Sequence, residues 1–199
     1  MKPLLKNTTE KNEFSSIITL DDPHCVRIDD GPRSRAYFCQ KTPLKVNQRL
    51  IQELKEIMAT QIGNKNLRLC LHSSPEAPFH EMIIFERKTK YYRPHRHEDK
   101  GETFHIIEGE MGVFCFDDDG QVREVNILSK KGDLIYKIEA GMYHAVLPLT
   151  DIIIYYESHP GPFRGTGDSI YPSWAPDESN PEKVKEYTDR LRILLNFSV

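Results

Sequence analysis

The chain has 199 residues, of which 38% are apolar and 29% charged, and it carries a net charge of −3 with an isoelectric point near 6.2. This length and apolar content suit one domain with extensions and a single substantial core. The slightly acidic balance argues against a general nucleic-acid-binding surface. No apolar run approaches the length of a transmembrane helix, and the polar start MKPLLKNTTEKNEF does not look like a signal peptide, so we expect a cytoplasmic protein without membrane insertion.

Residues 1–66 are predicted to form an N-terminal extension with short strands and one helix. Its first 16 residues are polar and we expect them to be loosely ordered, whereas Ala36–Cys39 reads as a strand between two turn signals. The clearest helix covers residues 47–62, with Asn47 as its N-cap. Its apolar residues fall at helical spacing on one face: Leu50, Ile51, Leu54, Ile57 and Met58. We expect this helix to lie on the outside of a sheet.

Strands dominate residues 67–160, which we predict to be the core of a mainly β domain. Many short strands separated by turns at short intervals are typical of a sandwich or barrel. The alternating text of residues 67–72 predicts a half-buried strand, and the continuous apolar run Ile152–Tyr156 predicts a strand buried on both faces. Glu108-Gly109-Glu110 predicts a tight hairpin between strands at 104–107 and 111–116.

Residues 161–199 combine a Pro- and Gly-rich loop with a C-terminal helix. The loop is expected to be ordered and to cross the surface of the barrel. Pro181 suits the first position of the helix. An apolar stripe follows at Val184, Tyr187, Leu191, Leu194 and Leu195. This stripe should pack on the body of the domain or on a second subunit, and it contributes to our expectation of a homodimer.

The four cysteines are scattered and form no C-x-x-C motif. We expect reduced thiols that pack as small hydrophobic groups. Spacing in the sequence does not report whether two of them lie close enough for a disulfide. The cysteines are Cys25, Cys39, Cys70 and Cys115.

The stretch RPHRHEDKGETFHIIEG, residues 93–109, carries the clearest chemical signal. His95 and His97 are one residue apart and would share one face of a strand, where a carboxylate from the next strand, Glu102, could meet them. His144 is predicted as a fourth ligand. Three imidazoles and one carboxylate suit one divalent transition metal such as Fe, Mn, Co, Ni or Zn. The H-x-H pair alone is a weak signal among eight histidines, but the complete set is a strong one.

This pattern resembles the two motifs of the cupin superfamily. The first motif corresponds to His95-x-His97-x4-Glu102-x6-Gly109. The second corresponds to Gly132, Gly141 and His144, although Glu139 stands where the motif has Pro and Pro148 where it has Asn. The resemblance implies a single cupin barrel, that is, a double-stranded β-helix or jelly roll with a few flanking helices, and one bound metal.

The chain also looks like the WbuC family of cupin-fold metalloproteins. The matching text runs from Arg33 to Glu178: RSRAYFC, LRLCLHSSPEAP, YYRPHRHEDKGETFHIIEGEMGVFCFDDDG, GMYHAVLPL, YYESHPGPF and SWAPDE. This resemblance implies a β-barrel with a bound metal and an association with gene clusters for surface polysaccharides of the O-antigen type. It implies no defined reaction.

Other residues are candidates for contacts with a substrate. Arg93 should share the side of the metal ligands, where it could bind a carboxylate or phosphate, or it could instead form a rim salt bridge with Glu98 or Asp99. Alternation places Phe104 inside the barrel, and Tyr92 could line it, since aromatic walls suit sugar rings as well as ordinary β-core packing.

Two residues are candidates for a catalytic role. Glu157 follows the apolar run at 152–156 and could serve as a general base beside the metal. His72 stands at a strand end and could reach the pocket, although a structural histidine is the alternative. His105 should face away from the interior because it alternates with Glu102.

The sequence is compatible with three functions. The first is an isomerase- or epimerase-like enzyme that acts on a sugar or nucleotide-sugar-related molecule with a Lewis-acid metal, for which Fe, Mn, Zn and Ni are all candidates. The second is a non-haem Fe(II) dioxygenase, because four protein ligands leave two octahedral positions. The third is a non-catalytic, metal-dependent small-molecule-binding or regulatory protein. All three imply a small-molecule partner, and none implies nucleic acid.

Overall fold

A computed structural model describes residues 17–195 and shows a mainly β protein with two helices. The predictions for residues 1–16 lie outside the described residues. The strands are β1 (Val26–Asp30), β2 (Ser34–Cys39), β3 (Asn66–Cys70), β4 (Phe79–Arg87), β5 (Glu102–Glu108), β6 (Glu110–Phe116), β7 (Val122–Ser129), β8 (Ile135–Ile138), β9 (Tyr143–Pro148) and β10 (Ile152–Pro160). The helices are α1 (Gln48–Thr60) and α2 (Pro181–Leu195), and a short 3-10 turn covers Gly165–Gly167.

The strands form two sheets with the connectivity of a jelly roll. One sheet has the order β1-β2-β3-β4-β10-β5-β8 and the other the order β7-β6-β9. A short segment at His95 bridges to His144 of β9 and extends the smaller sheet by one more strand position. From β4 onward most connections pass from one sheet to the other, as a jelly roll requires. The predicted single barrel with few helices is therefore confirmed. The proposed boundaries at residues 66 and 160 stay a prediction.

The predicted hairpin at Glu108-Gly109-Glu110 is wrong, because β5 and β6 belong to different sheets. β5 pairs with β10 and β8, whereas β6 pairs with β7 and β9. Gly109 forms the corner between the sheets with φ +84°, and a Cβ there would lie 2.7 Å from the carbonyl oxygen of Ile152. A glycine is needed at this corner both for its backbone angle and for the close approach of the next strand.

Helix α1 covers the outer face of the larger sheet, as predicted. Asn47 caps it, since its Oδ1 accepts a hydrogen bond of 3.0 Å from the backbone N–H of Leu50. The buried face of the helix packs against β3, β4 and β10 in one cluster: Leu50, Ile51, Leu54, Met58, Leu67, Leu69, Phe85 and Ile154. In the half-buried strand predicted at 67–72, Leu67 and Leu69 are buried under the helix, while the other face has Asn66 and Cys70 buried and Arg68 exposed.

The strand β10 runs along the centre of the larger sheet and is buried on both faces, as predicted. Ile154 faces α1, while Ile153 and Tyr155 face the barrel interior with Phe104. The strand extends four residues beyond the predicted apolar run, to Pro160. Alternation then places two polar residues, Glu157 and His159, on the same interior face as Tyr155.

Helix α2 packs on the outer face of the smaller sheet. Asn180 caps its start by accepting a hydrogen bond of 3.1 Å from Lys183 N–H. Leu191 and Leu195 are buried, and they pack in one cluster with Phe114 and Phe116 of β6. The predicted stripe therefore packs on the body of the domain. Among residues 17–195, neither helix is long and apolar enough to cross a membrane.

All four cysteines are buried free thiols, as expected. Cys39 and Cys70 lie on opposite faces of the larger sheet, in the clusters under α1 and inside the barrel, respectively. Burial raises the pKa of the Cys39 thiol to about 11 and that of Cys70 to about 12. These thiols are therefore protonated and act as small hydrophobic groups.

The interior also holds a carboxyl group that depends on its proton. Glu86 is completely buried, and its Oε2 accepts a hydrogen bond of 3.0 Å from the Tyr155 hydroxyl, while its Oε1 has no partner among the described residues. Burial raises the pKa of Glu86 from 4.5 to about 8. The folded state therefore keeps a proton that the unfolded chain releases at lower pH.

We expect the free energy of unfolding to decrease as pH rises, because the buried Glu86 has to keep this proton in the folded state. The contribution of Glu86 to the free energy of unfolding is fully present below the unfolded pKa of 4.5 and decreases up to about pH 8, by about 1.4 kcal/mol per pH unit. Glu86→Gln keeps the neutral shape and should flatten this dependence in urea unfolding at a series of pH values. Glu53→Gln, an exposed change on α1, is the control. Equal slopes in the wild type and in Glu86→Gln would contradict the prediction.

Candidate metal centre

The structure brings the four predicted metal ligands together inside the barrel. His95 lies at the bridge to β9, which carries His144, while His97 follows in the same segment and Glu102 begins β5. One potential ligand atom from each residue lies within 4.8 Å of all the others. His97, Glu102 and His144 are buried, and His95 is half-buried. The group could therefore hold one metal ion, largely shielded from solvent.

The backbone fixes which nitrogen each of these histidines presents. The Nδ1 atoms lie within hydrogen-bond distance of carbonyl oxygens as follows: His95 with Arg93 at 3.1 Å, His97 with Asp168 at 2.5 Å and His144 with Met142 at 3.0 Å. A carbonyl oxygen only accepts, so each Nδ1 carries a proton and donates it. In the neutral ring the other nitrogen, Nε2, then has a free lone pair, which is the arrangement of a metal-binding histidine.

Two of these lone pairs face the oxygens of Glu102. His97 Nε2 lies 3.0 Å from Oε1, and His144 Nε2 lies 3.0 Å from Oε2. The second contact lacks hydrogen-bond geometry, so the buried His144 Nε2 has no hydrogen-bond partner among the described residues. A lone pair beside a carboxylate oxygen is unfavourable unless a proton or a cation lies between them. The donor set of three imidazoles and one carboxylate therefore fits a divalent transition metal.

The electrostatics of the group also suit a cation. Burial lowers the pKa of His95 to about 4, and the neighbouring His144 adds to this effect. Burial also lowers the pKa of His97, but Glu102 and Asp168 together raise it to above its usual value. Burial raises the pKa of Glu102, but His144 and His97 lower it further, to well below its usual value. Glu102 is therefore an anion and His95 a neutral imidazole.

A loop from residues 161 to 171 supports the ligands from one side. Besides the Asp168 carbonyl that holds His97, the loop pairs its backbone at Ile170 with Arg96 in both directions. The Asp168 side chain forms a buried ion pair with Lys100, whose Nζ also donates to the Pro162 carbonyl at 2.7 Å. The ordered loop predicted across the barrel surface is thus part of the candidate metal centre.

A second group of ligand atoms shares Glu102 with the first. Glu102, Glu157 and His159 each offer a ligand atom within 4.8 Å of the others. His159 Nε2 lies 3.8 Å from Glu157 Oε1, and its Nδ1 lies 2.9 Å from the Pro160 carbonyl oxygen. Burial raises the pKa of Glu157 well above its usual value, and the charge of Glu102 adds to this effect. Glu157, a sequence candidate, thus lies beside the metal ligands.

His72, the other predicted catalytic residue, lies outside both groups of ligand atoms. Its ring stacks on His80 with 4.2 Å between centroids, and His80 lies 5.0 Å from the His159 ring. His72 Nδ1 is within 3.1 Å of both the N–H and the carbonyl oxygen of Glu81. Burial lowers the pKa of His72 to about 4. This neutral, stacked and backbone-bound ring favours the structural interpretation.

Arg93 forms a rim contact with a different partner from those considered in the sequence. Its guanidinium binds Asp177 at 3.1 Å and the Pro172 carbonyl at 3.0 Å, and lies 5.4 Å from the centroid of the Tyr171 ring. Asp99, one of the expected partners, pairs with Arg164 instead. A role for Arg93 in substrate binding stays a prediction.

The two remaining candidates for substrate contacts are Phe104 and Tyr92. Phe104 is buried with its ring 6.3 Å from that of His144, so it forms part of the wall behind the ligands. The Tyr92 hydroxyl accepts a hydrogen bond of 2.6 Å from the Asn66 side chain. Their roles in substrate binding stay predictions. His105 is exposed, as its alternation with Glu102 indicated.

Sequence reasoning missed three residues of this region. His159 could have been found by extending the alternation of β10 two residues past Glu157. Lys100 and Asp168 gave a weaker signal: Lys100 lies within the H-x-H…E segment, but its partner is 68 residues away in the sequence.

The comparisons with known proteins do not assign a function to the chain. A family model described as a domain of unknown function (DUF6016) matches residues 46–128. No curated protein matches the chain. The WbuC resemblance and the link to O-antigen biosynthesis stay predictions.

Three solved structures illustrate the similarity of backbone. Procruciferin, an 11S globulin from Brassica napus, is 12% identical with a TM-score of 0.37, covering 46% of this chain and 22% of that chain. The capsular polysaccharide assembling protein CapF from Staphylococcus aureus is 15% identical with a TM-score of 0.45, covering 53% and 29%. L-ribose isomerase from Cellulomonas parahominis is 16% identical with a TM-score of 0.45, covering 55% and 70%. The chain thus spans less than a third of the length of the first two.

We expect the protein to bind one transition-metal ion through these ligands. Protein purified without an affinity tag should contain near-stoichiometric metal by elemental analysis, and His97→Ala should lose it. The loss of affinity should exceed about 100-fold, because even residues that only orient a ligand contribute about 10- to 100-fold. His105→Ala removes an exposed histidine from the adjacent strand and should keep the metal. Retention of metal by His97→Ala, or no uptake by the wild type on reconstitution, would contradict the assignment.

A second prediction concerns the buried ion pair. Lys100→Met leaves Asp168 buried without its cation, and we expect metal affinity to fall by about 10- to 100-fold because the loop that holds His97 is released. Arg164 lies in the same loop and forms an exposed ion pair with Asp99. Arg164→Ala breaks this ion pair and should change the metal affinity little. Competition titrations with a metal-binding dye would compare the two. Equal affinities would show that the loop does not position His97.

Proposed function

We propose that the protein is a metal-dependent enzyme that acts on a sugar or nucleotide-sugar-related small molecule, with an isomerase- or epimerase-like reaction. The observation that carries this proposal is the pairing of a complete three-histidine, one-carboxylate group with a further carboxylate, Glu157, beside it. Glu157 has no hydrogen-bond donor among the described side chains, so it is available to a substrate.

The residues around the centre would have separate roles in such a reaction. A bound metal would act as a Lewis acid that polarises a carbonyl or hydroxyl oxygen of the substrate. Glu157 would exchange a proton with the substrate, and Phe104 would give the sugar an apolar wall. The loop that contains Asp168 would keep His97 in position while limiting the access of water.

The choice of a sugar rests on the resemblance to the WbuC family and on its implied setting in surface-polysaccharide biosynthesis. Membership of that family is part of the proposal. So are a cytoplasmic location, a homodimer and the absence of a nucleic-acid partner. None of the similar structures contributes to this choice.

A non-haem Fe(II) dioxygenase is the alternative enzyme. The four ligands leave two of six octahedral positions for a substrate and O₂, which favours this reading when the ion is iron. The third reading, a non-catalytic binding or regulatory protein, requires that a ligand binds without chemical change.

The test uses metal-loaded protein and a panel of aldoses, ketoses and nucleotide sugars in deuterated water. We expect isomerised product or deuterium incorporation into one substrate by NMR. Glu157→Gln should lose about 10²- to 10⁴-fold in rate because the proton carrier is removed, while keeping its metal. His72→Gln, the matched change at the other sequence candidate, should keep most of the activity.

The other outcomes of this test distinguish the three hypotheses about function. Oxygen consumption that depends on substrate and on iron would favour the dioxygenase. Tight binding of a panel member with neither exchange nor turnover would favour the binding protein. Full activity in Glu157→Gln would remove Glu157 from the mechanism.

A further inference from the structure

A separate cavity lies along one side of α2, from Pro181 to Arg192. It has a volume of about 450 Å³, within the range of small-molecule sites of about 300–1,000 Å³. Its lining comes from the segment 89–92, from six residues of α2, and from Arg33 and Glu178. None of the metal ligands lines it, so a molecule in this cavity would not occupy the candidate metal centre.

The cavity is lined by more positive than negative side chains. Four cations, Arg33, Lys90, Lys185 and Arg192, face two carboxylates. Each carboxylate is already paired with one cation, at 3.1 Å between Arg33 and Glu178 and at 2.6 Å between Lys185 and Asp189.

Lys90 and Arg192 are therefore left without a counter-ion. Neither has a carboxylate within ion-pair distance anywhere in residues 17–195, and both are half-buried. Both line the cavity, Lys90 from the segment 89–92 and Arg192 from the helix. Two unpaired cations that line the same cavity attract an anion more strongly than cations spread over an open surface.

Neutral groups complete the lining. Thr89 and Thr188 bring hydroxyl groups to the cavity, and Tyr91 brings an aromatic ring. Tyr91 is held in place because its hydroxyl donates a hydrogen bond of 3.1 Å to the Pro176 carbonyl. Hydroxyl donors beside an Arg and a Lys are the groups that bind phosphate oxygens, and a fixed ring suits a sugar or base attached to the phosphate.

We propose that this cavity binds a phosphate-bearing small molecule between Lys90 and Arg192. The site is independent of the metal centre, and it goes beyond the proposed function because it needs neither a metal nor a reaction. Its ligand is expected to span the cavity, with the phosphate oxygens between the two cations. Binding should weaken as salt concentration rises, since part of the attraction is electrostatic.

The test measures binding of inorganic pyrophosphate by isothermal titration calorimetry at low ionic strength. The protein carries His97→Ala and is treated with a chelator, so that the probe cannot bind through a metal. We expect saturable binding at one site per chain. The double substitution Lys90→Gln with Arg192→Gln should weaken it at least tenfold.

The matched control removes the same charge elsewhere on the chain. Lys183→Gln with Arg190→Gln changes two exposed cations of α2 that do not line the cavity, and it should leave binding within about twofold of the parent. Lys90→Gln alone, outside both helices, is measured as well in case the change on α2 affects folding, and it should also weaken binding. Absence of pyrophosphate binding, or an equal loss in the cavity and control variants, would overturn the proposal. Because metal-free protein is used, this result does not depend on the proposed enzymatic function.

Discussion

The buried carboxylate of Glu102 is the interaction on which the candidate centre depends. Each of its oxygens lies 3.0 Å from an imidazole Nε2 in a region that is nearly closed to water. An anion in such a place is costly unless a positive charge compensates it. The Nδ1–H groups of the neighbouring histidines already donate hydrogen bonds to carbonyl oxygens. The compensating charge must therefore lie between the Nε2 atoms and the carboxylate, where either a proton or a metal ion could be.

The jelly-roll fold supplies the parts of this arrangement from strands that are far apart in the sequence. β5 brings Glu102 and Phe104 to the interior by alternation, and the bridge between His95 and His144 joins the two histidine segments across the smaller sheet. The loop with Asp168 then covers His97. The orientation of each ring comes from the backbone, so a small shift in the loop would misalign a ligand even with every ligand residue present.

Sequence alone could predict the features that depend on local periodicity. The spacing of His95, His97 and Glu102 placed their side chains on the interior, and the apolar spacing of α1 gave its buried face. At Gly109 the turn residues could not distinguish a hairpin from a corner between two sheets, because a glycine with positive φ suits either. The contact between Lys100 and Asp168 joins residues 68 positions apart, and no local pattern reports such a pairing. The cavity beside α2 likewise depends on how the helix packs.

Burial also separates the two residues that the sequence offered as catalytic. His72 is satisfied as a neutral ring by stacking and by the backbone of Glu81, so packing is enough to explain it. Glu157 lies beside a second carboxylate, and among the described residues none donates a hydrogen bond to it; the charge of Arg68 lowers its pKa only partly against burial. Such a carboxylate weakens the folded state, as the partly unsatisfied Glu86 also does. Glu86, however, has the Tyr155 hydroxyl as its partner and lies apart from the ligands. Glu157 lies beside the candidate metal ligands and His159, and this position is the one that its proposed role in proton exchange requires.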